Sequence, residues 1–396
     1  MQTFTVQQRR NALVARHHLA GDAAGPDDVT RALVALHATD PASVYLSVLA
    51  RSSAATLTDV ANALYERRSL VRWLAMRRTL FVFDRDDVPL VHAAIGATLA
   101  RTLRIQLINR LNRVGTDPPI TEDVSSWLAD VGDTAVNALR RRGTATGAQL
   151  SAAEPRLRTR IRPRATSESP QNLTTSLLTV LGAESRIVRG DPTGAWTTRL
   201  HRWEPIERCW PDGLPFMDED DARQALARRW LERFGPATVE DLRWWTGWTK
   251  TATRQSLAGL AIDDVDLHGR PGITLSDAGL SGREDAPPVA ALLPALDPTP
   301  MGWKHRDWFF DIDPRQVFDR AGNIGPTVWW DGRIVGSWAV TQTGEIRTAL
   351  LTDHGTDAAN AVRTTADTLQ SRLVGTVVTP AVRTPLERDI ANGARS

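Results

Sequence analysis

The sequence predicts an α+β protein, mainly α. Its architecture is tandem winged-helix (helix-turn-helix) motifs followed by a C-terminal β-barrel-like subdomain. Three observations predict it. A run of short capped helices followed by a hairpin signal recurs along the first two thirds of the chain. The composition then changes after Pro287-Pro288, where helical periodicity gives way to alternating strands. Within that last part, Asp331-Gly332 sits between two such strands as a two-residue hairpin turn.

The elements follow in order. Val6 to Leu19 reads as an amphipathic helix. Asp27 and Asp28 cap a second helix that runs to Leu36, and a third begins at Pro41. Thr58 caps Asp59 to Arg67. The runs 70–73 and 79–83 read as two strands around Leu74 to Arg78, and Asp86 opens the next helix. The theme returns with a helix from Thr121 to Arg142, a short one at Gly147 to Ala153 capped by Thr146, and one at Ser169 to Leu181. A hairpin of Ser185 to Arg189 with Trp196 to Trp203 completes it. A third copy has helices at Asp220 to Phe234, Val239 to Thr246 and Lys250 to Leu260, with strands at Val265 to Leu267 and Gly272 to Leu275. Beyond Pro288, strands are expected at 289–293, 327–330, 333–340 and 346–351, with a last helix from Asp357 to Leu373. These readings divide the chain into winged-helix units at 1–118, 119–212 and 213–286 and a β-rich unit with a terminal helix at 287–396.

The 396 residues suffice for two to four compact units with a sizeable core. Of 48 basic residues only Lys250 and Lys304 are lysine, which leaves 46 arginines. The arginine fork suits phosphates and guanine edges, although GC-rich coding also favours Arg over Lys. Position carries more than number. Arg156, Arg158, Arg160, Arg162 and Arg164 alternate along one segment and, if extended, point one way and track phosphates. The other reading of that segment is a solvated loop. Cys209 stands alone, so no intrachain disulfide forms and a reducing cytoplasm is the expected location. Met1-Gln2-Thr3-Phe4 leads into a helix without a signal pattern, and no run of about 18 apolar residues occurs, so no membrane partner is expected.

Gly-rich phosphate loops, CxxC and His-Glu-x-x-His are all missing. The eight histidines show no ligand spacing, so neither a metal nor another cofactor is expected. What stands out is Leu36-His37-Ala38-Thr39-Asp40-Pro41, which gathers an imidazole, a hydroxyl and a carboxylate beside a helix start. Asp before Pro is also the ordinary N-cap pair, and His37 can be a core histidine bonded to backbone. A second group is Asp297 between prolines, followed by Lys304-His305-Arg306 amid several tryptophans. It reads either as a rigid turn with surface charge or as a nucleic-acid contact.

Four segments carry a family resemblance. They are 36–41, 74–82, the stretch 234–247 (Phe-Gly-Pro-Ala-Thr-Val-Glu-Asp-Leu-Arg-Trp-Trp-Thr-Gly), and 292–298 paired with 331–338. In this order they resemble the winged-helix AlkZ/YcaQ-type DNA glycosylases. The resemblance implies winged helices and a β-barrel-like unit around a basic groove on double-stranded DNA. It also implies metal-free hydrolysis of the N-glycosidic bond of alkylated or bulky-adduct purines by a monofunctional, monomeric enzyme. Family members carry Gln-apolar-Gln or Gln-apolar-Asp at the catalytic position, where this chain has His37-Ala38-Thr39 followed by Asp40. Carried over residue by residue, His37 orients or deprotonates a water, Thr39 holds it, and Asp40 supplies negative charge to an oxocarbenium-like sugar. Arg77 and Arg78 at the first wing, the 156–164 arginines, Lys304 and Arg306 are the expected DNA contacts. The alternative is a non-catalytic winged-helix DNA-binding protein or regulator. A small-molecule hydrolase lacks the nucleophile elbow it would need.

Overall fold

A computed structural model describes residues 2–163, 169, 171–278 and 286–393. Arg164, one of the expected DNA contacts, lies outside the described residues. The chain forms a mixed α+β structure in which helices dominate up to residue 258. The N-terminal part comprises β1 (Gln2–Thr3), α1 (Val6–Arg16), α2 (Pro26–Ala32), β2 (Leu36–His37), α3 (Pro41–Leu49) and α4 (Leu57–Ala61). Hairpin β3 (Leu70–Leu74) and β4 (Leu80–Asp84) follows. Then α5 (Val88–Val91) continues through a π-helical turn, His92–Gly96, into α6 (Ala97–Val114).

The middle of the chain contains β5 (Thr116–Asp117), α7 (Val124–Arg142), α8 (Gly147–Ala153), β6 (Arg160–Ile161), β7 (Gln171–Asn172), α9 (Leu173–Ala183) and the hairpin β8 (Ile187–Pro192) with β9 (His201–Pro205). Next come α10 (Glu219–Phe234), α11 (Val239–Thr246), α12 (Lys250–Ala258) and the hairpin β10 (Ile262–Asp266) with β11 (Pro271–Leu275). The chain closes with β12 (Ala290–Leu293), β13 (Thr327–Trp330), β14 (Arg333–Val340), β15 (Ile346–Leu350), α13 (Gly355–Leu373) and α14 (Pro385–Ala391).

Several boundaries differ from the sequence reading for identifiable reasons. Helix α2 stops at Ala32 instead of continuing to Leu36, because Val34 turns into the left-handed region (φ 61°), where a helix cannot continue. Leu36 and His37 then form a strand against Val82 and Phe81 of β4. Thr56, not Thr58, caps α4, through a capping box with Asp59. The segment after α8 is not a single extended ladder: Pro155–Arg158 makes a 3₁₀ turn and only Arg160–Ile161 is strand. The C-terminal strands form an open four-stranded antiparallel sheet in the order β12-β13-β14-β15, with no strand closing it into a barrel among the described residues. A further helix, α14, lies beyond the one expected to be last and packs its buried Leu386 and Ile390 against the main core. No helix among the described residues is long and apolar enough to cross a membrane.

The largest core runs from Leu13 of α1 to Ile390 of α14. A separate one joins α6, α7, α8 and α9. Two ends of the chain are joined by a buried polar cluster. Arg51, just past α3, donates to both oxygens of Asp297 (2.8 and 2.7 Å), and both side chains are fully buried. Arg51 also donates to the carbonyls of His17 and Ser47 and to Thr299 Oγ1, while Ser47 Oγ donates 2.8 Å to Asp297 Oδ2. His17 Nδ1 lies 2.9 Å from Thr299 Oγ1. Every strong donor in the cluster therefore has an acceptor, which is the condition for burying charge without a large penalty.

Two outcomes follow from these contacts. Arg51→Met strands the buried Asp297 carboxylate, and the chain should lose about 3–5 kcal/mol of unfolding free energy in denaturant titration. Arg51→Met with Asp297→Leu should recover much of it, and equal loss in the single and double variants would contradict the pairing. Burial pulls His92 and His201 down to about 4 and His17 well below its ordinary value. An unfolded histidine titrates near 6.5, so between those values the unfolded chain binds more protons. Stability is then full above about pH 6.5 and falls as pH drops toward 4. Thermal melts should show that decline, and a flat melting temperature between pH 7 and 5 would refute it.

Candidate functional site

A cavity of about 410 Å³ opens where β2, the β3–β4 turn, α11 and the loops after β12 meet. His37 stands on β2 directly across from Phe81 of β4, and the two rings pack edge to face at 5.2 Å. Burial, and then the charge of Arg77, lowers the imidazole to about 4, so it is neutral at pH 7. Its Nδ1 is buried and has no hydrogen-bond partner. The ring lines the cavity, and a neutral imidazole can accept a proton or a hydrogen bond there through an accessible nitrogen.

The opposite wall is cationic and aromatic. Arg77 sits in the tight β3–β4 turn, where it and Arg78 both adopt left-handed backbone (φ 52° and 60°). Its guanidinium lies 4.4 Å from the Trp244 ring and donates to the Trp244 carbonyl at 3.3 Å. Arg306 stacks on Phe318 at 4.3 Å and reaches toward Trp244 at 5.7 Å. Burial lowers both guanidinium pKa values, and the charge of Arg77 adds to the lowering at Arg306. Trp245, Met76, Met301 and Asn323 complete the walls, and no carboxylate among the described residues lines the cavity. Two guanidiniums over an indole, with no countercharge, favour an electron-rich aromatic group or an anion. One neutral histidine is also too small a donor set for a metal, and the described residues contain no group of three or more His, Cys, Asp or Glu that could hold one.

The structure separates the sequence-predicted residues. His37, Arg77 and Arg306 come together in the cavity. Thr39 lies two residues beyond His37, past the end of β2 at an exposed bend, with buried Ala38 bonded to Leu80 between them, and it is not one of the residues that line the cavity. Asp40 is not brought to this cavity. It lines a smaller one of about 20 Å³, where Oδ1 accepts from the Ala42 amide (3.2 Å) as the α3 N-cap and Oδ2 accepts from the Ala381 amide (2.7 Å). Arg78 points away into a neighbouring groove beside Arg110. Lys304 is paired to Glu240 at 2.9 Å.

Arg156 is drawn off the expected row by Glu154 and Asp130 (2.8 and 2.6 Å). Arg158, Arg160 and Arg162 are exposed and alternate with buried Leu157, Thr159 and Ile161, so that part of the row does face solvent on one side.

The sequence reading did not single out Trp244, Trp245 or Asn323. The tandem tryptophans carried a signal, since they end a short helix whose Thr238–Asp241 capping box fixes its position. Asp241 is buried and also accepts from the backbone amides of Lys304 (2.9 Å) and His305 (2.8 Å), which holds the Arg306 loop against α11. Asn323 is placed by Asp319, which accepts from its backbone amide (2.8 Å) and side-chain amide (3.0 Å).

A family model described as DNA glycosylase AlkZ-like matches residues 30–371. Among solved structures, the chain is similar to the Streptomyces sahachiroi DNA glycosylase AlkZ, with a TM-score of 0.72. The likeness covers 95% of this chain and 99% of that one at 19% sequence identity, which speaks to a shared fold. A search of curated proteins gives no match.

The electrostatics of the cavity are open to measurement. In NMR titration His37 should show a midpoint near 4. Arg77→Gln should raise it while burial keeps it below the ordinary 6.5. A wild-type midpoint at the ordinary value would mean that the imidazole is solvated and not in this site.

Proposed function

The chain belongs to the AlkZ-like DNA glycosylase family, and from that premise we propose that it hydrolyses the N-glycosidic bond of alkylated or bulky-adduct purines in duplex DNA. The observation that carries the proposal is a neutral His37 imidazole lining a cavity walled by arginine and tryptophan. The cavity volume is in the range of small-ligand sites, roughly 300–1,000 Å³. A damaged base flipped out of the stack fits such a pocket, with Trp244 and Phe81 as stacking surfaces.

In this reading the base enters with its electron-rich edge toward Arg77 and Arg306. As the glycosidic bond breaks, electrons flow into the departing purine, and the two guanidiniums stabilise that density. His37 takes a proton from the water that attacks the sugar carbon, and the Thr39 hydroxyl orients that water. The sugar develops oxocarbenium character, and the flanking DNA phosphates supply the negative charge opposite it. Asp40 acts as a brace: both its oxygens are engaged by backbone amides, so it holds the His37 segment in place. The helix runs 124–183 and 219–258, each followed by its hairpin, are read as winged helices that grip the duplex. The exposed Arg158, Arg160 and Arg162 are read as backbone contacts.

One observation favours the second reading, a DNA-binding protein without turnover. Among the described residues no carboxylate lines the cavity to stabilise a sugar cation directly. The two readings separate on duplexes carrying alkylated or adducted purines. Excision is expected, with abasic sites revealed by mild base, whereas tight binding without abasic product across a lesion panel would leave the second reading. His37→Ala should lower single-turnover excision by about a hundredfold or more, with DNA affinity within about twofold. Asp40→Asn keeps a good helix cap and should retain most of the activity. Abolished excision at an unchanged melting temperature in Asp40→Asn would make Asp40 catalytic and overturn its role as a brace.

A further inference from the structure

We propose that a groove between α6 and α9 holds a phosphate of the DNA backbone next to the base cavity, and that Arg78 and Arg110 grip it. The proposal rests on the DNA-directed reading above. The groove has a volume of about 320 Å³. Gln106 and Arg110 lie on one face of α6, with Leu103 and Leu107 one helical step away beneath them. Facing them are the hydroxyls of Thr175, Ser176 and Thr179 on α9. No acidic residue among the described residues lines the groove.

Two contacts fix its width. Arg104 pairs with Glu184 at the C-terminal end of α9 (Nη2 to Oε2, 2.8 Å). Arg110 Nη1 donates to Gln171 Oε1 at the other end (3.2 Å). The two helices therefore run antiparallel and are clamped at both ends. Arg110 Nε is buried with no partner, so its hydrogen bonding is incomplete in the protein alone. The first turn of α9 faces the groove through Thr175 and Ser176, and that helix has no acidic residue in its first turn and no side-chain cap bond. The Leu173 amide is taken by the Thr159 carbonyl (2.9 Å), and the helix dipole adds to the positive field. Two cations, the hydroxyls of Thr175 and Ser176, and a helix start are what a phosphodiester needs, while the Thr179 hydroxyl is spent on the Thr175 carbonyl (2.7 Å).

The link to the base cavity is covalent. Arg77 and Arg78 are neighbours, both left-handed, so that one side chain enters the cavity and the next enters the groove. A nucleotide whose base occupies the cavity therefore has a backbone phosphate within reach of the groove. Gripping that phosphate holds the extruded nucleotide in place, which is how binding energy away from the reacting bond positions it.

The test is fluorescence anisotropy of the full chain with an undamaged duplex over a salt series. This readout does not depend on excision, so it can fail or succeed separately from the glycosylase reading. Arg110→Gln should weaken binding about tenfold at low salt and reduce the slope of log K against log salt by about 0.9, one phosphate contact. Thr175→Glu puts a negative charge in the groove at a helix position where acids stabilise. It should weaken binding at least as much with an unchanged or higher melting temperature, which separates repulsion from misfolding. Unchanged affinity and slope in both variants would overturn the proposal. So would protection by millimolar inorganic phosphate that depends on Arg110 while duplex affinity stays the same, since the groove would then hold a free anion and not DNA.

Discussion

The buried pair of Arg51 and Asp297 is the contact on which the site geometry depends. It joins residues 246 positions apart, the end of α3 and the loop that follows β12. That loop goes on to provide Leu296, Pro298, Met301 and Arg306 to the cavity, while the strand just before α3 provides His37. An apolar contact would permit the two to slide by an ångström or more. A bidentate guanidinium–carboxylate pair, with each remaining donor satisfied by a named carbonyl or hydroxyl, permits one arrangement. Desolvating two charges means that such a pair adds little net stability. What it adds is position.

The same use of carboxylates recurs around the cavity. Asp40 spans the start of α3 and the Ala381 amide. Asp241 closes the capping box of α11 and also receives the Lys304 and His305 amides. Asp297 receives Arg51, Ser47 and the Thr299 amide. The acids nearest the site are thus consumed in binding backbone and framework groups. That is the physical reason the described walls of the cavity have cations and a neutral imidazole but no carboxylate, although the sequence places Asp40 only three residues from His37.

Much of the fold was legible because its signals are local. Thr146 and Thr238 begin helices at the positions their spacing to Gln149 and Asp241 predicts, with both halves of each capping box formed. Asp331-Gly332 takes positive φ at both positions, as its hairpin requires. The alternation of arginines was real from Leu157 to Arg162, but the first arginine of the row belongs to an ion-pair cluster that depends on Asp130 of a different helix. His37 was legible as a residue and illegible as a place. Its strand exists only because Val34 breaks α2 in an unfavourable backbone region and β4 waits alongside, and neither cause is written within a few residues of it. Trp244 could be seen as part of a motif, but its two arginine neighbours come from positions 77 and 306, which no local pattern connects.

The absence of a countercharge in the cavity bears directly on the chemistry. Arg77 and Arg306 raise each other's cost of staying charged, and both lie partly out of water. Burial, with the charge of Arg77 added, keeps His37 neutral. A polyanion entering the site supplies the charge the guanidiniums lack, while burial still holds the imidazole below its ordinary value. DNA brings that charge on its own backbone. In the proposed reading, a phosphate beside the sugar is what lets this cationic wall coexist with a cationic sugar, so the charge that draws the backbone in also prepares the reacting bond.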